Sequence, residues 1–423
     1  MTRIMRVLAG ASVLATGACS LDLTNPNSPT QEEVLADPAG LLSLAVGMQG
    51  QFSQTIDDYL VTNSLITDEW GTRSLSLIAY QSLLTGQNFD ASYGVVSAPF
   101  SNSYAIIKSA NTILTGADQS GLGVANRAGV VALAKLFKAM ALGMLIQQYE
   151  KVPITISDAS VPQPRSIVMD TILTLLESAR ADLATVTDAQ LSEFRSQVVG
   201  TGFNQRATTD AMLARYYLIA GRHNDAITAA DRVPLNVLSV FQYPDPNRNP
   251  IENLGIQLRY VAPLRSFVTQ AEAGDRRPDY WVETTGPALP ANPPDTVLRP
   301  FRKYSTRNES FPVYLPDEMK LIKAEAFART NRLAEALILI NQVRTQTSST
   351  VDEPVAGLPA IVLVTQAEML AEIAKQRRYE LYEQGLRWED TRRFGTAITT
   401  TPTFQWLPLP QRECDANPAN PCG

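Results

Sequence analysis

Residues Ala374 to Gly395, AKQRRYELYEQGLRWEDTRRFG, decide the reading of the fold. They follow Thr365-Gln-Ala-Glu368, a capping box in which the Thr365 hydroxyl accepts the Glu368 N–H and the Glu368 carboxylate reaches back. Met369, Ile373, Leu381 and Tyr382 recur at roughly helical spacing, so a helix is predicted here. Gly385 is placed to end it in the left-handed conformation, and a second short helix is predicted from Leu386. Five arginines (Arg377, Arg378, Arg387, Arg392 and Arg393) stand against Glu380, Glu383, Glu389 and Asp390. That near-balance predicts pairing across the helix break, with Tyr379 and Trp388 packed between the charges. A nucleic-acid surface would instead show unpaired positive charge.

The runs Arg377-Arg378-Tyr379-Glu380-Leu381, Glu383-Gln384-Gly385, Arg387-Trp388-Glu389-Asp390 and Arg392-Arg393 resemble the C-terminal signature of the SusD/RagB family. The resemblance implies an outer-membrane lipoprotein that captures nutrients, usually glycans and sometimes peptides, for a TonB-dependent, SusC-like transporter. That signature is structural in the family and carries no information about the ligand.

The chain has 423 residues, 45% hydrophobic and 18% charged, enough for one large core or two merged ones. Its formal charge is −6, and −8 once a leader containing Arg3 and Arg6 is removed, which argues against nucleic acid or anionic lipid headgroups as partners. Residues 1–18 read as an export signal: Arg3 and Arg6, the apolar run Val7 to Leu14, then Thr16-Gly17-Ala18 before Cys19. The small residues abutting Cys19 resemble a lipobox, with Thr16 in place of the usual Leu or Val, so Cys19 is the expected lipidation site. Residues 19–29 form a polar tether. The two other cysteines, Cys414 and Cys422, are expected to pair, as exported cysteines commonly do, at a gain of about 2.5 kcal/mol for so short a loop. A metal there would need a nearby His or third Cys, and neither is present.

Residues 30–234 are expected to be a helical N-terminal part. It starts with a capping box at Thr30-Gln-Glu-Glu33 and an Asp37-Pro38 helix start facing Leu41, Ala45, Met48 and Phe52 inward. That first helix is expected to run out in a loop over Ser64 to Gly71. Val130 to Ile146 is apolar enough to suggest a membrane span, but Lys135 and Lys138 favour a buried helix. Leu213-Ala214, Tyr217, Gly221 and Ala226 recur as Lys323-Ala324, Phe327, Asn331 and Ala336, the spacing of tetratricopeptide hairpins. Residues 235–313 lose helical periodicity and fill with prolines and aromatics, so an irregular lobe laid on the helices is expected. Residues 314–423 complete the chain with the second hairpin, the signature and a disulfide-pinned tail. The fold class is mainly α.

Nothing in the sequence assembles an active site, and no cofactor is implied. His223, the single histidine, falls in a hairpin turn without a triad or metal cluster around it. Gly121-Leu-Gly123 lacks the rest of a phosphate loop. Asp68-Glu69 are too close in sequence to flank a sugar as a glycosidase pair. A binding site needs exposed aromatics beside polar groups. Two stretches meet that description: Asp68, Glu69 and Trp70 with Arg73, and Arg276 and Arg277 with Tyr280 and Trp281. The resemblance implies that such loops converge on a ligand face. The competing reading is that Trp70 and Trp281 seal the lobe onto the helices. The expected function is a surface-exposed, lipid-anchored outer-membrane protein passing an oligosaccharide, or else a peptide, to a TonB-dependent transporter. The alternative is a tetratricopeptide-type envelope scaffold that holds no nutrient.

Overall fold

The computed structural model describes residues 35–74, 76–87, 89–157, 160–289, 297–396 and 405–416. The leader, Cys19, the tether, the capping box at Thr30 and Cys422 lie outside them. Asp37 caps the first helix, α1 (Pro38–Gln54), its carboxylate accepting from the N–H groups of Ala39 and Gly40 at 3.2 and 3.0 Å. Leu41, Ala45, Met48 and Phe52 are all buried. The chain then bends at Thr55 and continues as α2 (Ile56–Ile66), before the strand β1 (Trp70–Thr72). The loop expected over 64–71 is therefore mostly regular structure, because Leu65, Ile66 and Trp70 are fully buried and their backbone groups must be satisfied inside.

Helices α3 (Ile78–Thr85), α4 (Gly94–Gly116), α5 (Val124–Gln148) and α6 (Arg165–Ala184) follow, with α5 packed against both α4 and α6. The short antiparallel pair β2 (Lys151–Val152) and β3 (Gln163–Pro164) lies between α5 and α6 in sequence. By length and hydropathy α5 could cross a membrane, yet 83% of its most apolar window is buried inside the fold. Lys135 reaches Asp182 (2.5 Å) and Lys138 reaches Asn111 (2.7 Å). Gly143 lies where Tyr216 crosses α5, and a Cβ there would stand 1.9 Å from the phenol oxygen.

Two hairpins repeat as the spacing predicts: α7 (Gln205–Ile219) with α8 (His223–Ala230), and α9 (Pro316–Arg329) with α10 (Leu333–Arg344). Their turns place Gly221 (φ +73°) and Asn331 (φ +60°) in the left-handed region. Ala214, Ala226, Ala324 and Ala336 are fully buried, letting the paired helices close up, and α8 also packs on α9.

Between α8 and α9 the described chain has only short helices and strands. β4 (Val240–Phe241) pairs with β6 (Phe311–Pro312), and β5 (Val261–Pro263) pairs with β1 so that Trp70 faces Pro263 and Thr72 faces Val261. The lobe is thus stitched to the N-terminal helices. Its aromatics mostly face inward, with Phe241, Tyr243, Phe267, Trp281 and Tyr304 buried.

The signature forms α11 (Gln366–Glu380) and α12 (Arg387–Phe394). Both halves of the capping box are made: Glu368 N–H to Thr365 Oγ1 (3.2 Å) and Thr365 N–H to Glu368 Oε2 (2.9 Å). In the turn between the helices Gly385 has φ +70°, and a Cβ there would meet the Tyr59 ring at 2.4 Å. Glu383, fully buried, also adopts a left-handed φ of +61°, a strain only a tightly packed surrounding sustains. The last described helix is α13 (Gln411–Ala416), whose Cys414 is disulfide-bonded.

Charge pairing across the break is extensive. Asp390 receives Arg377 Nε and Nη2 (2.8 and 3.1 Å) and Arg393 Nη2 (2.9 Å). Arg393 also grips both oxygens of Glu325 on α9 (2.7 and 2.9 Å), which Arg329 shares (2.8 Å). Glu389 binds Arg165 of α6 (2.7 Å) and Arg392 (2.8 Å), whose guanidinium lies between the Trp388 and Trp406 rings. Arg378, which lies over the Tyr379 ring, and Arg387 depart from the expected pairing. Arg387 is half-buried, its Nε has no hydrogen-bond partner, and burial and the Arg378 charge lower its pKa against the pull of Glu69 and Asp390.

Burial raises the pKa of Asp390, but Arg377 and Arg393 outweigh it and hold the carboxyl below its ordinary value. Such a group stabilises the fold above its unfolded pKa of about 3.9, and that contribution is lost as pH falls through the lower folded value. Asp390→Ala is expected to cost about 3–5 kcal/mol in urea unfolding at pH 7, because two arginine charges stay buried without their partner. The cost is expected to hold down to about pH 4 and shrink below it. A wild-type-like midpoint at pH 7 would contradict the pairing.

Candidate binding site

The two stretches singled out by sequence do approach one another, but inside the core. Trp70 and Trp281 are both 0% exposed. Trp281 donates its indole N–H to the Tyr379 carbonyl (3.0 Å) and meets Tyr382 edge-on at 6.2 Å. Trp70 packs edge-on against Phe301 at 5.3 Å, its N–H toward Glu383 but outside hydrogen-bond geometry. Arg277 is fully buried, with Nη2 and Nε on Asp275 (2.7 and 2.9 Å) and Nη1 near Glu380 (3.4 Å). Glu69 is buried, its carbonyl accepting the Tyr382 hydroxyl (2.8 Å), and burial pushes its carboxyl up to about 7. Asp68 is buried too, in a left-handed conformation (φ +57°). Tyr280 is half-buried, donating to Asp352 Oδ1 (3.0 Å), and exposed Arg276 donates to the Thr347 carbonyl (3.0 Å). These groups fasten the lobe and β1 to the signature turn. The expectation of an exposed indole pair is therefore corrected: Trp281 is consumed by the Tyr379 carbonyl and the Tyr382 ring, and Trp70 by its packing on Phe301.

Arg73, half-buried, follows the end of β1. Its N–H donates to the Tyr260 carbonyl (2.9 Å), extending the β1–β5 pairing. Tyr260 then stands edge-on to Tyr80 of α3, centroids 6.1 Å apart. Tyr80 belongs to a pocket of about 290 Å³ walled by Asp57, Asp58 and Val61 of α2, Ala79 of α3, and Gly94, Val95 and Ala98 of α4.

The placement of its two acids follows from α2. Tyr59 points inward, its hydroxyl donating to the Gly385 carbonyl of the signature turn (2.8 Å), while the flanking Asp57 and Asp58 line the pocket. Asp58 accepts from Asn102 Nδ2 (2.7 Å). Burial, then the adjacent Asp58 charge, push the Asp57 carboxyl up to about 7. Burial also raises Asp58 and the Tyr80 hydroxyl, the latter with both acids facing it. The pocket thus offers two carboxyls and one phenol, partly desolvated, with the Tyr80 ring in its wall. That set can hydrogen-bond hydroxyls and pack against a ring.

Sequence reading missed Asp57 and Asp58 because acids in a helix's first turn are ordinary. The available signal was that neither has a basic residue three or four positions on in IDDYLVTNSLI. A second depression of about 360 Å³, lined by Gln49, Gln54, Gln197, Gln242 and Asn247 among others, carries no ionisable side chain. The one group of described residues with metal-ligand spacing is Asp317, Glu353 and Glu380, remote in kind from the pocket because it is wholly buried. His223 opens α8 half-buried, and burial lowers its pKa.

Residues 301–403 match the SusD family model. The fold matches solved structures along most of its length. A SusD superfamily protein from Bacteroides fragilis aligns with a TM-score of 0.72 at 17% identity, over 92% of this chain and 100% of that one. A second, from Bacteroides thetaiotaomicron, aligns with a TM-score of 0.70 at 16% identity, over 93% and 100%. A SusD-like carbohydrate binding protein from Bacteroides vulgatus gives 0.68 at 15% identity, over 86% and 84%. No curated protein matches the sequence.

Because the Asp57 pKa is raised, the folded state holds a proton between about pH 4 and 7 that the unfolded chain has released, so this group's stabilisation is lost as pH rises through 7. Asp57→Asn is therefore expected to be more stable than wild type at pH 8, with the gap closing at pH 5, by urea unfolding at both. An equal gap at the two pH values would contradict a desolvated Asp57.

Proposed function

We infer, from a chain that residues 301–403 assign to the SusD/RagB family and that carries the SusD fold, that this protein is a binding lipoprotein capturing an oligosaccharide at the Asp57–Asp58–Tyr80 pocket. The observation that carries the reading is a concave site combining two carboxyls with the Tyr80 ring, on a fold shared with a SusD-like carbohydrate binding protein. Two acids in the wall favour neutral sugars, whose hydroxyls donate to carboxylates, and disfavour sulfated or uronic ligands. A peptide is the second ligand class, supported by the same acids, which suit a basic or N-terminal amine.

Binding rather than hydrolysis fits the site. Asp57 and Asp58 come from consecutive residues of one helix and so enter from one wall, whereas a glycosidase sets its two carboxyls on opposite sides of the scissile bond. Lipidation at Cys19 would hold the protein in the outer membrane, exposed at the cell surface, and a TonB-dependent, SusC-like transporter would receive the ligand. Supporting this is the leader ending in Thr16-Gly17-Ala18 before Cys19. The scaffold alternative leaves the pocket without a purpose.

In a parallel glycan-array and peptide-library screen, Tyr80→Ala and Asp58→Asn are expected to lower affinity for the best neutral-glycan hit at least about tenfold, since loss of a ring face or of a charged acceptor costs roughly 1–3 kcal/mol. Melting temperatures should stay close to wild type, because both side chains border solvent. Unchanged affinity in both variants would sink the assignment to this pocket. Separately, Cys19→Ala is expected to move the protein from the membrane fraction to the soluble fraction. Retention of the variant in membranes would contradict the lipid anchor.

A further inference from the structure

Three carboxylates meet where the start of α9, the 346–358 loop and the end of α11 come together. Asp317, Glu353 and Glu380 each offer one oxygen, and the three atoms lie within 4.8 Å of one another. Asp317 and Glu380 are fully buried and Glu353 is 7% exposed. Each is fixed in place by its own element. Asp317 follows Pro316 in the first turn of α9, and its N–H donates to Glu353 Oε2 (3.3 Å). Glu353 Oε1 accepts from Ser349 Oγ (2.6 Å) and Gln346 Nε2 (3.2 Å). Glu380 ends α11 with Oε2 near Arg277, which leaves Oε1 buried without any hydrogen-bond partner.

The local charges do not balance. Arg277 is already held by Asp275 as well as facing Glu380, and Lys320 sits on Asp317 at 2.5 Å. Among the described residues, four carboxylates (Asp275, Asp317, Glu353 and Glu380) share two cations. Ser349, Gln346 and the Asp317 N–H are neutral donors that ease the site without cancelling two negative charges. Buried carboxylates in excess of their cations either take up protons or recruit a metal ion.

We propose that Asp317, Glu353 and Glu380 bind one calcium ion, which ties the second helical hairpin and the 346–358 loop to the signature helix. The donors are all carboxylate oxygens, which select a hard cation over zinc or copper. Oxygens lying within 4.8 Å of one another can all reach one ion at calcium's bonding distance of about 2.3–2.6 Å, and calcium accepts an all-protein carboxylate cage more readily than magnesium, which keeps its waters. Two positive charges match the deficit. Asp317 keeps a second oxygen for Lys320, and Glu380 Oε1 gains the partner it lacks. Through Glu380 and Arg277 the ion also steadies the Arg277–Trp281 turn of the lobe, so the site acts on structure, away from the pocket.

The test uses the mature chain stripped with EDTA and dialysed into metal-free buffer at pH 7.5, with calcium chloride as the probe. Calorimetry is expected to show saturable binding of one calcium per chain, and the wild-type melting temperature to rise by several degrees in millimolar calcium. Glu353→Gln, on the loop and least built into the helices, is expected to fold and to lose at least about tenfold in affinity together with the thermal shift. Glu380→Gln is expected to do the same if it folds. Absence of saturable binding to wild type, or wild-type binding by Glu353→Gln, would overturn the site. So would a melting temperature insensitive to calcium that rises as pH falls from 8 to 5, since shared protons would then be the compensating charge.

Discussion

Asp390, fully enclosed and held by Arg377 from one helix and Arg393 from its own, is the interaction from which the rest of the structure is hung. A buried carboxylate is tolerable only while both guanidinium groups reach it, and both reach it only while α11 and α12 keep their angle. Arg393 passes the constraint on to Glu325 and so to the second hairpin. Glu389 passes it through Arg165 to α6, and the Gly385 carbonyl through Tyr59 to α2. Because Tyr59 is fixed, its neighbours Asp57 and Asp58 are presented outward to the pocket. Signature and pocket are thus linked by one turn of one helix, although no signature side chain lines that pocket.

How legible this was depended on the range of the interaction. The capping box at Thr365, the proline start after Asp37 and the left-handed turn residues Gly221, Asn331 and Gly385 are local chemistry, and the structure has each of them. The paired alanines announced two close-packed hairpins for the same reason. The charged signature announced internal pairing because its signs nearly cancel within a short stretch. It did not reveal that Arg378 and Arg387 would make no ion pair with a carboxylate among the described residues: Arg378 lies over the Tyr379 ring, while Arg387 lies on the half-exposed side of the turn, and Glu69, which faces it, comes from far away in sequence.

Orientation was the part the sequence withheld. Trp70 beside Asp68-Glu69 and Trp281 beside Arg276-Arg277 look alike whether the indole faces solvent or core. What turned them inward was a set of distant partners: the Tyr379 carbonyl, the Tyr382 ring and Phe301. The pocket acids and the buried Asp317–Glu353–Glu380 group escaped notice because each is assembled from separate segments whose residues are individually unremarkable at their positions.

The signature element is expected to be the last part of the molecule to yield, since opening it would expose several buried charges at once. Native-state hydrogen exchange tests this most directly. The amides of α11 and α12 are expected to exchange only through the opening that also releases the innermost amides of α4, α5 and α6, with the same free energy and denaturant dependence. Exchange of α11 and α12 through a separate, lower-energy opening, while α4 to α6 stay protected, would contradict it.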